Sequence, residues 1–165
     1  MTSSSSGPGR DTVLLAVAGM CVGAVALALL LQYRFDMQPC PWCILQRVIF
    51  LAIALVALLG LVWRGRAGAV LAGGGISALA TAGMAAALWQ YVVASNAESC
   101  DLTMAERIVA ALRLDAMWPE VFTAYASCKD AAVKLLGLPF EFWSLALFIV
   151  IDLAAMLLLV KTLRR

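Results

Sequence analysis

Four stretches of this chain are almost unbroken runs of apolar residues, and polar residues collect between the runs rather than alternating through them. The runs cover about residues 12–31, 44–63, 69–93 and 142–160. At ~1.5 Å of rise per residue, a run of roughly 20 residues makes about 30 Å of helix, the thickness of a bilayer's hydrocarbon core. The pattern predicts an all-α membrane protein, a four-transmembrane-helix bundle with both termini on one side. The connecting segments of about 32–43 and 94–141 then lie together on the other side. The low-complexity start "TSSSSGPG" predicts a disordered tail over residues 1–11, leaving 12–165 as a single membrane domain. The first run is longer than the apolar core of a signal peptide and has no clean small-residue cleavage region after it, so it is expected to be a retained helix.

Composition agrees, since 64% of the 165 residues are hydrophobic and only 13% are charged, far from a soluble domain. Charge orients the bundle. Arg10, Arg64, Arg66 and the terminal "KTLRR" hold six of the twelve basic residues, with Asp11 as the one acid among them, and so mark the cytoplasmic ends. The long loop carries Glu98, Asp101, Glu106, Asp115, Glu120, Asp130 and Glu141 against four basic residues. Trp42, Trp89, Tyr91 and Trp143 near outer ends, and Trp63 near an inner end, fit interfacial aromatics. Within the long loop, "TMAER" from Thr103 has capping-box spacing and opens an amphipathic segment with Met104, Ile108, Ala111 and Leu112 on one side. That helix and "WPEVF" from Trp118 are expected at the outer membrane surface. The small residues of "AGGGISALATAGMAAA" suit close helix packing in lipid.

This topology puts Cys40, Cys43, Cys100 and Cys128 on the outer, oxidising side, and Cys21 inside the first span as a small packing residue. Four cysteines allow three pairings, which sequence alone leaves open. A c-type haem is excluded, because it needs a histidine after the second cysteine and the chain has none. Structural zinc would need four thiolates drawn from spread positions in an oxidising compartment, so no metal is expected. A thioredoxin fold would need a βαβ pattern that the sequence lacks. Two static disulfide staples in a non-enzymatic membrane scaffold remain the plain alternative.

The setting of the first pair points to reactivity instead. In "QPCPWCILQR", Pro41 suits the first turn of a helix, which places Cys43 near a helix N-terminus, where the dipole favours a thiolate. Arg47 follows four residues later, on the same face and one turn deeper. A cation beside a thiolate makes it a better leaving group in disulfide exchange. An arginine at that depth must snorkel to the headgroups or face a polar site. Asp152 in the fourth span, with no clear cationic partner, is expected to be hydrogen-bonded or protonated in packing more than catalytic.

The four spans, the "CPWCILQR" motif opening the second span, and the later Cys100 and Cys128 together resemble the disulfide bond formation protein B (DsbB) family of bacterial inner-membrane enzymes. The resemblance covers the chain after its serine-rich tail. It implies that a reduced periplasmic thioredoxin-like oxidase, resembling DsbA, attacks Cys100, that Cys128 then attacks Cys40, and that Cys43 is released as a thiolate beside ubiquinone or menaquinone. Arg47 would bind that quinone, and the resting pairs would be Cys40 with Cys43 and Cys100 with Cys128. The lipid bilayer and the quinone pool are the other expected partners, with no nucleic acid. Two departures stand out: Gln46 occupies a position that is acidic in many relatives, and no histidine is available near the outer end of the third span, where Gln90 is the available polar group. A vitamin K epoxide reductase-like enzyme also pairs a four-helix bundle with thiol–quinone chemistry, but its Cys-x-x-Cys lies on a late helix.

Overall fold

The apolar runs fold as four long α-helices in a computed structural model that describes residues 8–93, 104–127, 129–131 and 134–164. They are α1 (Pro8–Phe35), α2 (Pro41–Val62), α3 (Arg66–Val92) and, after the long loop, α7 (Phe140–Leu163). All four are long and apolar enough to cross a membrane, so the chain is a multi-pass membrane protein. Between α3 and α7 stand three short helices, α4 (Met104–Ala111), α5 (Leu114–Met117) and α6 (Pro119–Phe122), and a minimal hairpin of β1 (Lys134–Leu135) and β2 (Leu138–Pro139). Leu136 and Gly137, with φ of 53° and 85°, form the hairpin's two-residue connection, where paired positive φ matches strand twist.

The helices outrun the apolar runs at several ends, because polar residues continue a helix once its hydrogen-bond ladder is set. Helix α1 starts at Pro8, so residues 8–11 are helical rather than part of a disordered tail, and it continues to Phe35. The first outer loop is thereby reduced to residues 36–40. On the inner side, Arg10 donates from Nη2 to the carbonyls of Gly60 and Trp63, the latter at 3.1 Å, and Arg66 donates to Leu163 O at 3.2 Å. Both arginines satisfy carbonyls at helix C-termini, which lack intrahelical partners and bear partial negative charge.

Helix α3 packs chiefly on α7, and α2 sits between α1 and α3. One face of α3, with Ala72, Gly73, Ile76, Ala80, Gly83 and Ala87, is buried, as its run of small residues predicts. A Cβ at Gly83 would overlap the Phe148 ring. That ring stacks on Phe50 with centroids 4.1 Å apart and planes 3° from parallel, joining α2 to α7 through the bundle centre. Cys21 is fully buried in this core, as expected of a packing residue. Asp152 accepts a hydrogen bond from Ser77 Oγ across the α3–α7 contact, in keeping with a hydrogen-bonded role.

Two expectations about the outer surface change, those for Trp42 and for "WPEVF". Trp42, in the first turn of α2, is buried and lies beside Trp89 of α3, with ring centroids 6.3 Å apart. In α4 the buried residues are Ala105 and Val109, while Met104 and Ile108, with Leu112 just beyond the helix, stay exposed, as the apolar side of a helix at the membrane surface would be. The smaller side chains allow close seating on α2, where Val109 joins Ile44 and Phe122 in a separate cluster. Phe122 of "WPEVF" thus packs inward, while Trp118 remains exposed. The capping box at Thr103 lies outside the described residues.

Candidate functional site

Cysteine 40 caps α2. Its backbone is extended, with φ −89° and ψ 168°, and its Sγ accepts a hydrogen bond from the Cys43 N–H at 3.3 Å. Pro41 takes the first helical position, where no N–H is needed. The next turn carries Cys43 back over the cap, bringing the two sulfurs to 2.7 Å. A Cys-x-x-Cys pair spanning a helix N-terminus therefore needs only side-chain movement to reach the ~2.05 Å of a disulfide.

Arg47 lies one turn deeper and is 5% exposed, so it does not snorkel to the headgroups. Its Nη1 donates to Gln32 Oε1 and to the Val121 carbonyl, each at 2.9 Å. Among the described residues only one of its nitrogens is engaged in this way, and a guanidinium has five N–H donors. A buried cation is stable only when so partnered, and α1 and α6 supply the partners.

A second polar chain crosses from α2 to α7. Gln46 Nε2 donates to Gln90 Oε1 at 2.8 Å. Gln90 Nε2 in turn donates to Cys43 Sγ at 3.4 Å and to Glu141 Oε1 at 3.2 Å. Gln90 is thus fixed with its amide hydrogens toward the sulfur and the carboxyl. Glu141, counted among the outer-loop acids in the sequence, instead stands in the first turn of α7 and is 4% exposed.

Both chains end on one cavity of about 430 Å³. Cys43, Gln46, Arg47, Gln90 and Glu141 form its polar end, and the remainder is mainly apolar wall from α1, α2 and α7, including Val25, Leu31, Phe50, Leu147 and Val150. That volume is in the range of small-molecule sites, ~300–1,000 Å³, and a few converging polar groups in an apolar cleft are their usual lining. A planar, lipid-soluble carbonyl compound fits this chemistry: donors for its oxygens at one end and apolar surface for its ring and tail.

Of the residues singled out from sequence, Cys40, Cys43 and Arg47 come together, with Gln90 beside them. Cys100 and Cys128 lie outside the described residues. The loop before Cys128 is nevertheless tied to the first pair, because Tyr125 and Ala126 donate their N–H groups to the Pro39 carbonyl at 3.0 and 3.3 Å. Gln32 and Glu141 were not foreseen in the site. Each is a polar residue at the edge of an apolar run, a weak signal that marks most helix ends equally well.

Four membrane-crossing helices holding a cysteine pair at the polar end of an apolar cavity define a class, the membrane proteins of thiol–disulfide chemistry. Within that class the chain belongs to the family "Disulfide bond formation protein DsbB", which it matches over residues 10–158. It is 34% identical over 152 residues to disulfide bond formation protein B of Dechloromonas aromatica, covering 86% of this chain and 87% of that protein. It is 35% identical over 145 residues to the protein so named in Herminiimonas arsenicoxydans, covering 86% and 89%. For that of Nitrosomonas europaea the figures are 32% over 149 residues, covering 88% and 91%. Membership supports enzymatic, quinone-linked redox activity in disulfide bond formation.

Proposed function

We propose that this protein oxidises a periplasmic thioredoxin-like dithiol oxidase, of the DsbA kind, and delivers the electrons through two cysteine pairs to ubiquinone or menaquinone. The observation that carries this reading is the placement of Cys43 and Arg47, one helical turn apart, at the polar end of the 430 Å³ apolar cavity. A structural staple has no need of a cavity beside its sulfur or of a buried cation below it.

In this mechanism a thiolate of the reduced partner attacks Cys100 of a Cys100–Cys128 disulfide. Cys128, freed as a thiolate, attacks Cys40 of the resting Cys40–Cys43 disulfide. The bonds to Pro39 favour that transfer: Ala126 is held next to Cys40's neighbour, and Cys128 follows it on a tether of two residues, at most about 7 Å. Cys43 leaves as a thiolate, stabilised by the α2 N-terminus, the Gln90 amide and the Arg47 charge. The quinone, when bound, supplies the sink for two electrons and two protons. Arg47 would hold one of its oxygens through N–H groups not engaged by Gln32 and Val121, while Phe50 and the α1 and α7 walls exclude water. Both termini lie in the cytoplasm and the cysteines face the periplasm, with the chain in the bacterial inner membrane.

The test follows quinone absorbance while the purified protein meets a reduced thioredoxin-like oxidase. Quinone reduction by the wild type that disappears in Cys43→Ser is expected. Equal turnover in the variant would remove Cys43 from the mechanism.

A further inference from the structure

A buried acid at the quinone-facing end of the cavity has no role in the electron path just described. Glu141 is 4% exposed, lines the cavity, and uses only one of its oxygens. Oε1 accepts from Gln90, whose orientation is set by Gln46, while Oε2 is buried with no hydrogen-bond partner among the described residues. An unpartnered buried oxygen is costly, and an ionisable side chain inside a membrane-spanning helix is a functional candidate by default. A glutamine would accept the Gln90 hydrogen bond equally well, so that bond gives no reason for a carboxyl here. Oε1 is committed as an acceptor, which leaves Oε2 as the oxygen able to carry a proton.

We propose that Glu141 is the proton-transferring residue of the site, giving a proton from Oε2 to an oxygen of the bound quinone. This rests on the quinone-reducing reading above. Once Cys100 has re-paired with Cys128 and Cys40 is freed, the Cys40 thiol and the Cys43 thiolate close their disulfide with release of two electrons and one proton, while the quinone takes up two electrons and two protons. Glu141 loses one proton to the quinone oxygen and regains it from the Cys40 thiol. The outer aqueous phase, which received the other proton of the reduced partner, supplies the second proton of the quinol. The titratable and charged groups facing the same cavity are Cys43 and Arg47 of α2. Arg47 cannot serve as the donor, since a guanidinium keeps its protons in proteins. Gln46 has no proton to give, and Gln90 serves to hold Glu141 and Cys43 in register.

The experiment compares wild type, Glu141→Gln and Glu141→Asp in the full-length protein in lipid nanodiscs, measuring kcat and KM for quinone across the neutral pH range. General acid catalysis contributes roughly 10²- to 10⁴-fold, so Glu141→Gln is expected to lose kcat by about 10²-fold, with KM within twofold and the pH profile flattened. Glu141→Asp should recover part of the loss. A Glu141→Gln variant with wild-type kcat and pH profile, or with only KM changed, overturns the proposal. An independent readout uses the wild type alone: infrared difference spectra should show a carboxyl C=O band that shifts when quinone binds and moves again in D₂O. Absence of any carboxyl response also overturns it, whether or not the variants fold. A wild type that reduces no quinone at all would instead sink the reading on which this rests.

Discussion

Arg47 donates to Gln32 at 2.9 Å, tying the second helix to the last turns of the first at the level of the cavity. The bond decides where a buried cation points. Without it the guanidinium would be free to turn toward the outer surface, and the polar end of the cavity would lose its fixed charge. The second acceptor, the Val121 carbonyl, comes from the short helices of the long loop, so three separate segments agree on one orientation.

Replacing Arg47 with lysine keeps the charge and removes the planar fork. A single ammonium cannot hold Gln32 and Val121 while also presenting donors to a ligand oxygen. Hydrogen bonds to charged groups are worth ~1.5–3 kcal/mol, so KM for quinone in Arg47→Lys is expected to rise about 10- to 100-fold. Disulfide content should be unchanged. Steady-state quinone reduction checks this, and a wild-type KM would take Arg47 out of the quinone site.

Gln32 acts through Arg47, which makes their effects dependent. In Gln32→Leu the quinone KM should rise several-fold, and the double variant with Arg47→Ala should be no worse than Arg47→Ala alone. A double-mutant cycle reads this directly, with the coupling for residues in one network expected at ~0.5–3 kcal/mol. Additive effects would mean that Gln32 works independently of the arginine.

Much of this architecture is legible from the linear sequence, for specific reasons. Apolar runs of bilayer length can only be satisfied as helices, so α1, α2, α3 and α7 follow from composition alone. Pro41 and the Cys-x-x-Cys spacing place the first pair at a helix start, and the four-residue step places Arg47 beneath Cys43. The same local logic fails wherever a residue's environment comes from another segment. Glu141 reads as one more outer-loop acid because nothing near it in sequence reports that Gln90, some fifty positions earlier, covers it. In α4 the apolar side of Met104 and Ile108 is legible and stays exposed, whereas the burial of Ala105 and Val109 on the other side is not, because it comes from seating on α2. Trp42 looks interfacial by position and is buried, beside a Trp89 that lies 47 positions later and on another helix.

The connectivity proposed for the resting protein is open to a direct check. Mass spectrometry after alkylation of the untreated protein is expected to find Cys40 joined to Cys43 and Cys100 to Cys128, with Cys21 unjoined. When the wild type meets a reduced partner whose second cysteine is replaced by serine, a Cys40–Cys128 crosslink should accumulate together with a partner–Cys100 disulfide, because Cys128, displaced from Cys100, attacks Cys40 and nothing then releases Cys100. A dominant crosslink between the loops in untreated wild type would mean that the proposed intermediate is the ground state.

Gly83 controls how closely α3 approaches α7, and through Phe148 it reaches the cavity. Its missing side chain makes room for the Phe148 ring, which stacks on Phe50, a residue of the cavity wall. A methyl group at position 83 has to displace that ring, and overpacking of this kind costs ~1–3 kcal/mol. Gly83→Ala is therefore expected to lower the Tm in detergent and to raise the quinone KM modestly, because Phe50 would lose its stacked support. Adding Phe148→Leu removes the obstructing ring and should restore much of the stability, though not the stacked wall. Thermal unfolding and quinone kinetics on the two variants separate these effects. If Gly83→Ala leaves both Tm and KM at wild-type values, the α3–α7 contact has room that the Phe50–Phe148 stack denies, and the link from helix packing to cavity shape is wrong.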